Sequence, residues 1–206
     1  MDKGTLIILN GGASAGKSAL GEALQDGFEE PYLLLGIDAF YRAIPPSQKN
    51  HDRVDPLWYS TQNRIEDGHE YFRLIPGPIL DLVMLGRYRA VAQLLELGLN
   101  VISDEVIWKR EWLVNALRTF ETYRVFFVGV FVSDNEAERR HLARGRLGSS
   151  WYQGSARYAH EDAIYDLKID TTEESPEVCS RRIREAISLG LRPTAFEELR
   201  ARLASG

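Results

Sequence analysis

The chain has 206 residues, of which 44% are hydrophobic, and it carries a formal net charge of −5 at pH 7. The acidic balance argues against a nucleic-acid partner, and the single cysteine, Cys179, excludes an intrachain disulfide framework. No apolar run approaches the roughly 18 residues that span a membrane, so we expect no membrane partner and a cytoplasmic protein. The length predicts one domain over residues 1–206, as a monomer or a homo-oligomer.

Five short apolar runs alternate with helical patterns, which is the arrangement of a parallel α/β sheet. The predicted strands cover residues 5–10, 32–37, 99–103, 125–132 and 165–170. Helices are predicted from about residue 16, over 79–97, 110–122 and 194–204, and from about 133 and 175. We therefore expect a central five-stranded parallel sheet flanked by helices.

A glycine-rich segment joins the first predicted strand to the first predicted helix. It fits the pattern G-x-x-x-x-G-K-[ST], in which backbone N–H groups bind phosphate oxygens. The eight residues of this P-loop, which we expect to bind ATP, are Gly11, Gly12, Ala13, Ser14, Ala15, Gly16, Lys17 and Ser18. Lys17 is expected to reach the β- and γ-phosphates, and the Ser18 hydroxyl to bind Mg²⁺. The context predicts a three-layer fold of the P-loop NTPase and kinase type, and the alternative is a glycine-rich turn without a ligand.

The region between the second and third predicted strands is too long for a simple crossover. We expect residues from about 41 to 75 to form an insertion on the side of the phosphoryl acceptor. Within it, the alternating pattern of residues 64–72 around the pair Asp67-Gly68 predicts a small hairpin.

Acidic residues follow the second and third predicted strands, whose carboxyl ends should face the ligand crevice. Asp38 is expected to orient the acceptor hydroxyl and take its proton, unless it only caps a helix or turn that begins at Ala39. Asp104 is expected to hold Mg²⁺ directly or through water. Because Glu105 could contact the acceptor instead, the sequence leaves open which of these two acids serves the metal.

A cluster of arginines follows the fourth predicted strand: Arg139, Arg140, Arg144 and Arg146. With little acid nearby, these cations would repel one another unless anions were present. The cluster therefore predicts a lid over about residues 136–155 that brings guanidinium groups onto the transferring phosphoryl group. Arg140 and Arg144 share one helix face and are the expected catalytic arginines. The alternative is a solvated basic face.

Several short motifs follow the P-loop in order along the chain. They are Gly36-Ile37-Asp38, Asp104-Glu105-Val106, Val128-Gly129-Val130, Ala143-Arg144-Gly145, His160, Tyr165-Asp166 and Ile169-Asp170-Thr171. With the P-loop, this ordered set resembles the chloramphenicol phosphotransferase family over nearly the whole chain. The resemblance implies an ATP-dependent kinase that phosphorylates a hydroxyl group of a small molecule. It further implies that Asp38 is the proton acceptor and that Arg144 belongs to a closing lid, while Lys17 and Ser18 handle phosphate and Mg²⁺.

The chain departs from the family pattern at two places. Glu105 stands where the family typically has a second aspartate, and residues 41–73, which should contact the acceptor, do not match. We expect transfer of the γ-phosphoryl group of ATP to a chloramphenicol-like antibiotic or a related metabolite. The alternatives are a nucleotide or nucleoside kinase and a non-catalytic nucleotide-binding switch, although the chain lacks the Asn-Lys-x-Asp motif of GTP-type switches.

Overall fold

A computed structural model describes residues 2–48, 55–66, 68–145 and 151–204 of the chain. Its strands are β1 (Thr5–Asn10), β2 (Tyr32–Leu34), β3 (Tyr59–Glu66), β4 (His69–Pro76), β5 (Asn100–Glu105), β6 (Arg124–Phe131) and β7 (Leu167–Asp170). Its helices are α1 (Lys17–Gly27), α2 (Ile37–Ala43), α3 (Pro78–Glu96), α4 (Arg110–Thr119), α5 (Asp134–Ala143), α6 (Trp151–His160), α7 (Pro176–Ser188) and α8 (Ala195–Ala204). None of the described helices combines the length and the apolar content needed to cross a bilayer.

The main sheet contains five parallel strands in the order β2-β5-β1-β6-β7. Its central strand β1 pairs through Leu9 with Asp104 of β5 and through Asn10 with Gly129 of β6. Because the strands are parallel, their carboxyl ends lie along one edge, where ligands of open α/β sheets bind. The predicted five-stranded parallel sheet is confirmed.

Helices cover both faces of this sheet, because successive side chains of a strand point to opposite faces. Leu6 and Ile8 of β1 belong to one apolar cluster, to which α3, α4 and α8 contribute. Ile7 and Leu9 belong to the other cluster, to which α1 and α7 contribute. Burial on both faces explains why the predicted strands are nearly continuous apolar runs.

The second strand differs most from its prediction. The sequence predicted a strand up to Asp38, whereas β2 ends at Leu34 and Ile37 already begins α2. At Gly36 the backbone passes so close to β5 that a Cβ would lie only 2.2 Å from the backbone oxygen of Asp104. Gly36 is also the N-cap of α2, so Asp38 lies in the first helical turn. The prediction that Asp38 ends a strand is therefore wrong, and so is the alternative that it caps a helix.

The hairpin is longer than predicted. Strands β3 and β4 pair from Tyr59 with Pro76 to Glu66 with His69, while Asp67 of the predicted turn lies outside the described residues. Strand β4 packs against α6, a helix that the sequence analysis did not predict. The hairpin is thereby connected through α6 to the rest of the molecule.

Candidate active site

The P-loop turns between β1 and α1, where the motif placed it. Gly16 is the N-cap of α1 and has a φ of +83°, which glycine adopts without steric cost. Gly12 lies so close to α6 that a Cβ on it would be 2.5 Å from the Cα of Ala156. One glycine therefore permits the turn and the other permits the close packing of a helix.

Helix α6 also holds the beginning of the P-loop by a hydrogen bond. The backbone N–H of Ala13 donates to the Oγ of Ser155 at 2.8 Å, and Ser155 is fully buried. The sequence analysis missed Ser155, because its partner lies 142 residues away and no local pattern indicates the contact.

Ser14 bears two energetic costs inside the P-loop. Its φ is +65°, and a left-handed conformation costs a residue with a Cβ about 1–2 kcal/mol. Its Oγ is buried without a hydrogen-bond partner in the described chain, which costs about a further 1–3 kcal/mol. Costs of this kind persist mainly where function requires the conformation.

Lys17 and Ser18 meet Asp104 near the end of β5. The Ser18 Oγ donates to the Asp104 Oδ2 at 2.5 Å, and the Lys17 Nζ lies 3.9 Å from the Asp104 Oδ1. The Lys17 Nζ also donates to the backbone oxygen of Gly12 at 2.8 Å. Burial lowers the pKa of Lys17, and the carboxylates of Asp104 and Asp38 oppose that shift. The structure thus brings together the residues predicted for phosphate and metal.

Asp38 faces this cluster from the first turn of α2, and its side chain is exposed. Its charge affects Lys17 on one side and Tyr41 on the other. Burial raises the pKa of Tyr41, and Tyr59 and Asp38 add to that shift. Asp38 therefore lies within electrostatic reach of both the P-loop lysine and Tyr41 of α2.

Helix α5 places Arg140 against the P-loop. Its guanidinium donates to the Thr171 Oγ1 at 3.0 Å, the Thr171 backbone oxygen at 2.6 Å and the Ser14 backbone oxygen at 3.4 Å. Glu136 accepts from Arg139 at 2.6 Å and from Arg140 at 2.7 Å, and these hydrogen bonds lower the pKa of Glu136 to about 2. The argument that these arginines lack acidic partners is therefore wrong, because one carboxylate binds two of them.

Arg144 is the exposed C-cap residue of α5. Burial is the main cause that lowers the pKa of Lys17, and the like charge of Arg144 lowers it further. Arg144 therefore lies within electrostatic reach of the P-loop. The predicted lid continues through Arg146, which lies outside the described residues together with residues 147–150. The described residues of the predicted lid fall in most of α5, in residues 144–145 and in the first half of α6.

A chloramphenicol phosphotransferase-like family matches residues 4–188 of this chain. The chain belongs to this family. A protein of Mycobacterium tuberculosis strain H37Rv, named "Putative O-phosphotransferase Rv2636", is 50% identical over 206 residues, which are 100% of this chain and 92% of that protein.

Solved structures show that the fold is that of P-loop kinases, as predicted. The APS kinase of Mycobacterium tuberculosis, in complex with AMPPNP and APS, matches with a TM-score of 0.62 and 12% identity over 91% of this chain and 99% of its own. The shikimate kinase of Aquifex aeolicus matches with a TM-score of 0.52 and 15% identity over 90% and 99%. This chloramphenicol phosphotransferase-like protein is a kinase-type phosphotransferase.

Glu105, the residue that differs from the aspartate pair expected for the family, forms a buried ion pair with Arg87. It accepts from the Arg87 Nε at 3.0 Å and Nη2 at 2.6 Å, and from the Ser103 Oγ at 2.8 Å. Glu105 and Arg87 are each only 1% exposed. The hypothesis that Glu105 contacts acceptor or metal is therefore wrong, and Asp104 is the acid beside the P-loop. The sequence holds one indication of this ion pair, because Arg87 is a charged residue on the otherwise apolar face of α3.

A hydrogen-bonded group behind the P-loop was also missed. The Asn10 Nδ2 donates to the Tyr165 hydroxyl at 2.8 Å, and that hydroxyl lies 2.6 Å from the His160 Nδ1. The Asn10 Oδ1 accepts from the Ile107 N–H at 2.9 Å. Burial, and then the charge of Lys17, lower the pKa of His160 to about 4, so the imidazole is neutral at pH 7. Asn10 thus fixes the point at which β1 enters the P-loop.

Proposed function

We propose that this chloramphenicol phosphotransferase-like protein transfers the γ-phosphoryl group of ATP to a hydroxyl group of a small molecule. The observation that carries the proposal is the convergence of Lys17, Ser18 and Asp104, with Asp38 acting on Lys17 from the neighbouring helix. Phosphoryl transfer requires mainly positioning and stabilisation of charge, and this arrangement supplies both.

Ser14 supports a phosphate ligand independently of the sequence motif. Its Oγ is buried without a partner, on a loop whose backbone precedes a helix N-terminus. Phosphate oxygens are hydrogen-bond acceptors, and helix N-termini favour anions. A phosphate group would therefore satisfy a hydroxyl that the described chain leaves unsatisfied.

Ser18 and Asp104 would hold Mg²⁺. Carboxylate and hydroxyl oxygens are ligands that this ion accepts, and these two oxygens lie 2.5 Å apart. When bound, Mg²⁺ would supply positive charge that stabilises the phosphoryl group during transfer. Lys17 would contact the same phosphates from the other side of the loop.

Asp38 would orient the acceptor hydroxyl and accept its proton. Its exposed carboxylate is open to a substrate and lies within electrostatic reach of Lys17. Arg144 would contact the transferring phosphoryl group from the lid. Arg140, whose guanidinium already binds Thr171 and Glu136, would support the P-loop from outside.

The acceptor would lie between α2 and the hairpin. Tyr41 of α2 is partly buried and within electrostatic reach of Asp38, and an aromatic side chain suits an acceptor with an aromatic ring or flat apolar surface. We therefore propose a chloramphenicol-like antibiotic or a related metabolite as the acceptor. The insertion of about residues 41–75 would supply acceptor contacts within one kinase domain.

A screen of hydroxyl-bearing compounds tests this proposal. The protein is incubated with ATP, Mg²⁺ and a panel that includes chloramphenicol and nucleosides, and mass spectrometry measures the gain of one phosphoryl group. We expect a gain in a small hydroxyl compound, and none with Lys17→Ala. A gain confined to nucleosides or nucleotides would favour a nucleotide kinase, and slow ATP hydrolysis that no compound accelerates would favour a switch.

A further inference from the structure

A cavity of about 70 Å³ lies at the carboxyl end of α6, beside the residue that precedes the P-loop. Its walls come from the end of β1, from β4 and β6, from residues 107–110 and Leu113 around the start of α4, and from residues 158–159 and 161–163. About 10–15 Å³ of cavity volume is enough for one water molecule, so a cavity of about 70 Å³ has room for a small organic molecule.

Two polar groups on the cavity wall lack partners. The Tyr158 side chain is only 4% exposed, and its hydroxyl makes no hydrogen bond in the described chain. The Arg73 Nε is likewise buried without a partner, while the guanidinium stacks 4.7 Å from the centre of the Tyr158 ring. The Arg73 Nε can only donate, so a ligand that satisfies it must present an acceptor.

The N-terminus of α4 favours the same kind of group. Its N-cap, Lys109, makes no side-chain capping bond, and the first N–H groups of a helix have no partner within the helix. The Lys109 ammonium pairs with Asp81, whereas Arg110 forms no ion pair with any described residue. A carboxylate suits this wall, because it accepts several hydrogen bonds and carries a single negative charge.

Two carboxylates also line the cavity. Neither Glu161 nor Asp162 forms a side-chain ion pair within the described ranges, and neither is paired with Arg73 or Arg110. These acids would repel a multiply charged anion such as phosphate. They would attract an ammonium group carried by the same ligand.

We propose that the cavity between β4, α4 and α6 binds a small α-amino acid. Its carboxylate would meet Arg73 and Tyr158, and its ammonium group would meet Glu161 and Asp162. The volume limits the ligand to one of the smallest members of the class, glycine or alanine. This site is separate from the P-loop and does not depend on the proposed phosphoryl transfer.

Thermal unfolding of the full chain tests the proposal, with glycine, acetate, methylammonium and phosphate compared at constant ionic strength. We expect a saturable rise of the unfolding midpoint with glycine, about 3–6 °C at ten times the dissociation constant. Acetate and methylammonium should give smaller rises, because each carries only one of the two charged groups. Phosphate can bind the P-loop of the proposed function, so any rise that it gives should be the same in Tyr158→Phe as in the wild type.

Tyr158→Phe and Arg73→Gln are the test variants. Tyr158→Phe removes only the orphaned hydroxyl, so without ligand it should unfold at the same temperature as the wild type or higher. Both variants should lose the response to glycine. Tyr123→Phe is the matched control, because its hydroxyl bonds to the surface residue Glu96 at 2.8 Å, and it should keep the response.

Three results would overturn the proposal. One is the absence of a saturable response to glycine in the wild type, which would mean that the cavity binds no amino acid. The second is an equal response in Tyr158→Phe and the wild type. The third is a response to acetate as large as that to glycine, or a response to phosphate that Tyr158→Phe removes. Because the readout is unfolding, none of them bears on phosphoryl transfer.

Discussion

The P-loop edge, formed by the P-loop, the end of β5 and α1, differs in construction from the proposed acceptor side, formed by α2 and the hairpin of β3 and β4. At the P-loop edge, Lys17 is 7% exposed and Asp104 is 9% exposed, and both are fixed between paired strands and helix α1. On the acceptor side, Asp38 and residues 61–65 of β3 are exposed, and Ile65 is 78% exposed. The part that would bind phosphate is thus buried, and the part that would select the acceptor is an exposed insertion.

This difference indicates that the two regions can be altered separately. Substitutions in the enclosed region should affect nucleotide binding, stability or both. Substitutions on the open side should affect transfer while leaving nucleotide affinity and stability nearly unchanged. The following variants test that separation.

Lys17→Ala should have the largest effect. It removes the lysine of the P-loop itself, whose ammonium donates to the backbone oxygen of Gly12, and we expect transfer to fall by at least about 10³-fold. Steady-state kinetics with the acceptor found in the screen would measure the loss. Lys168→Ala, an exposed lysine on β7, is the matched control, and substantial activity in Lys17→Ala would refute the role of the loop.

Asp38→Asn should lower kcat by about 10²-fold or more, the scale of a general base, with unchanged affinity for ATP. The amide keeps the size of the side chain and loses the ability to accept a proton. Asp134→Asn, an exposed acid in the first turn of α5, is the control for removing charge from a helix start. If Asp38→Asn turns over at a normal rate, Asp38 is not the base.

Arg87→Met should act on stability instead of chemistry. It leaves the Glu105 carboxylate buried without its ion-pair partner, although the Ser103 hydroxyl still donates to it, and this costs about 3–5 kcal/mol of unfolding free energy. Denaturant unfolding would measure the change, and Arg89→Met on the exposed face of α3 should cost little. A second substitution, Glu105→Gln, should recover part of the loss. If Arg87→Met is as stable as Arg89→Met, the ion pair does not hold this edge together.

Ser14 offers a smaller and more selective test. Ser14→Ala should weaken binding of a non-hydrolysable ATP analogue by about tenfold, the value of one hydrogen bond. Ser14→Gly should weaken binding similarly, yet raise unfolding free energy by about 1 kcal/mol, because it removes the strain at φ +65°. Calorimetric titration and thermal unfolding would show both effects. If the wild type and both variants bind the ATP analogue equally tightly, the Ser14 hydroxyl does not contact the phosphates.

The sequence could predict the P-loop edge because its determinants are local. An apolar run, a glycine pattern and a helix follow one another within about 20 residues, and β1 and α1 confirm them. Asp38 was assigned to the wrong element because α2 already begins at Ile37, and the close contact of its N-cap Gly36 with Asp104 is one that no local pattern encodes.

The remaining misses have long-range causes. Ser155 and Arg87 act through partners far along the chain, and the importance of each depends on the assembled fold. Helix α6 escaped prediction because Gly154 interrupts a ten-residue segment. The arginine cluster was misinterpreted because Glu136, which binds two of the arginines, was not recognised as their partner.

A crystal structure with a non-hydrolysable ATP analogue and Mg²⁺ would test the central claim most directly. We predict the triphosphate in the P-loop with Lys17 on its terminal phosphates, and the metal beside Ser18 and Asp104. The Asp38 carboxylate should face the γ-phosphorus across a gap that one hydroxyl group fills. An empty P-loop at saturating nucleotide, or a γ-phosphorus out of reach of Asp38, would contradict the account.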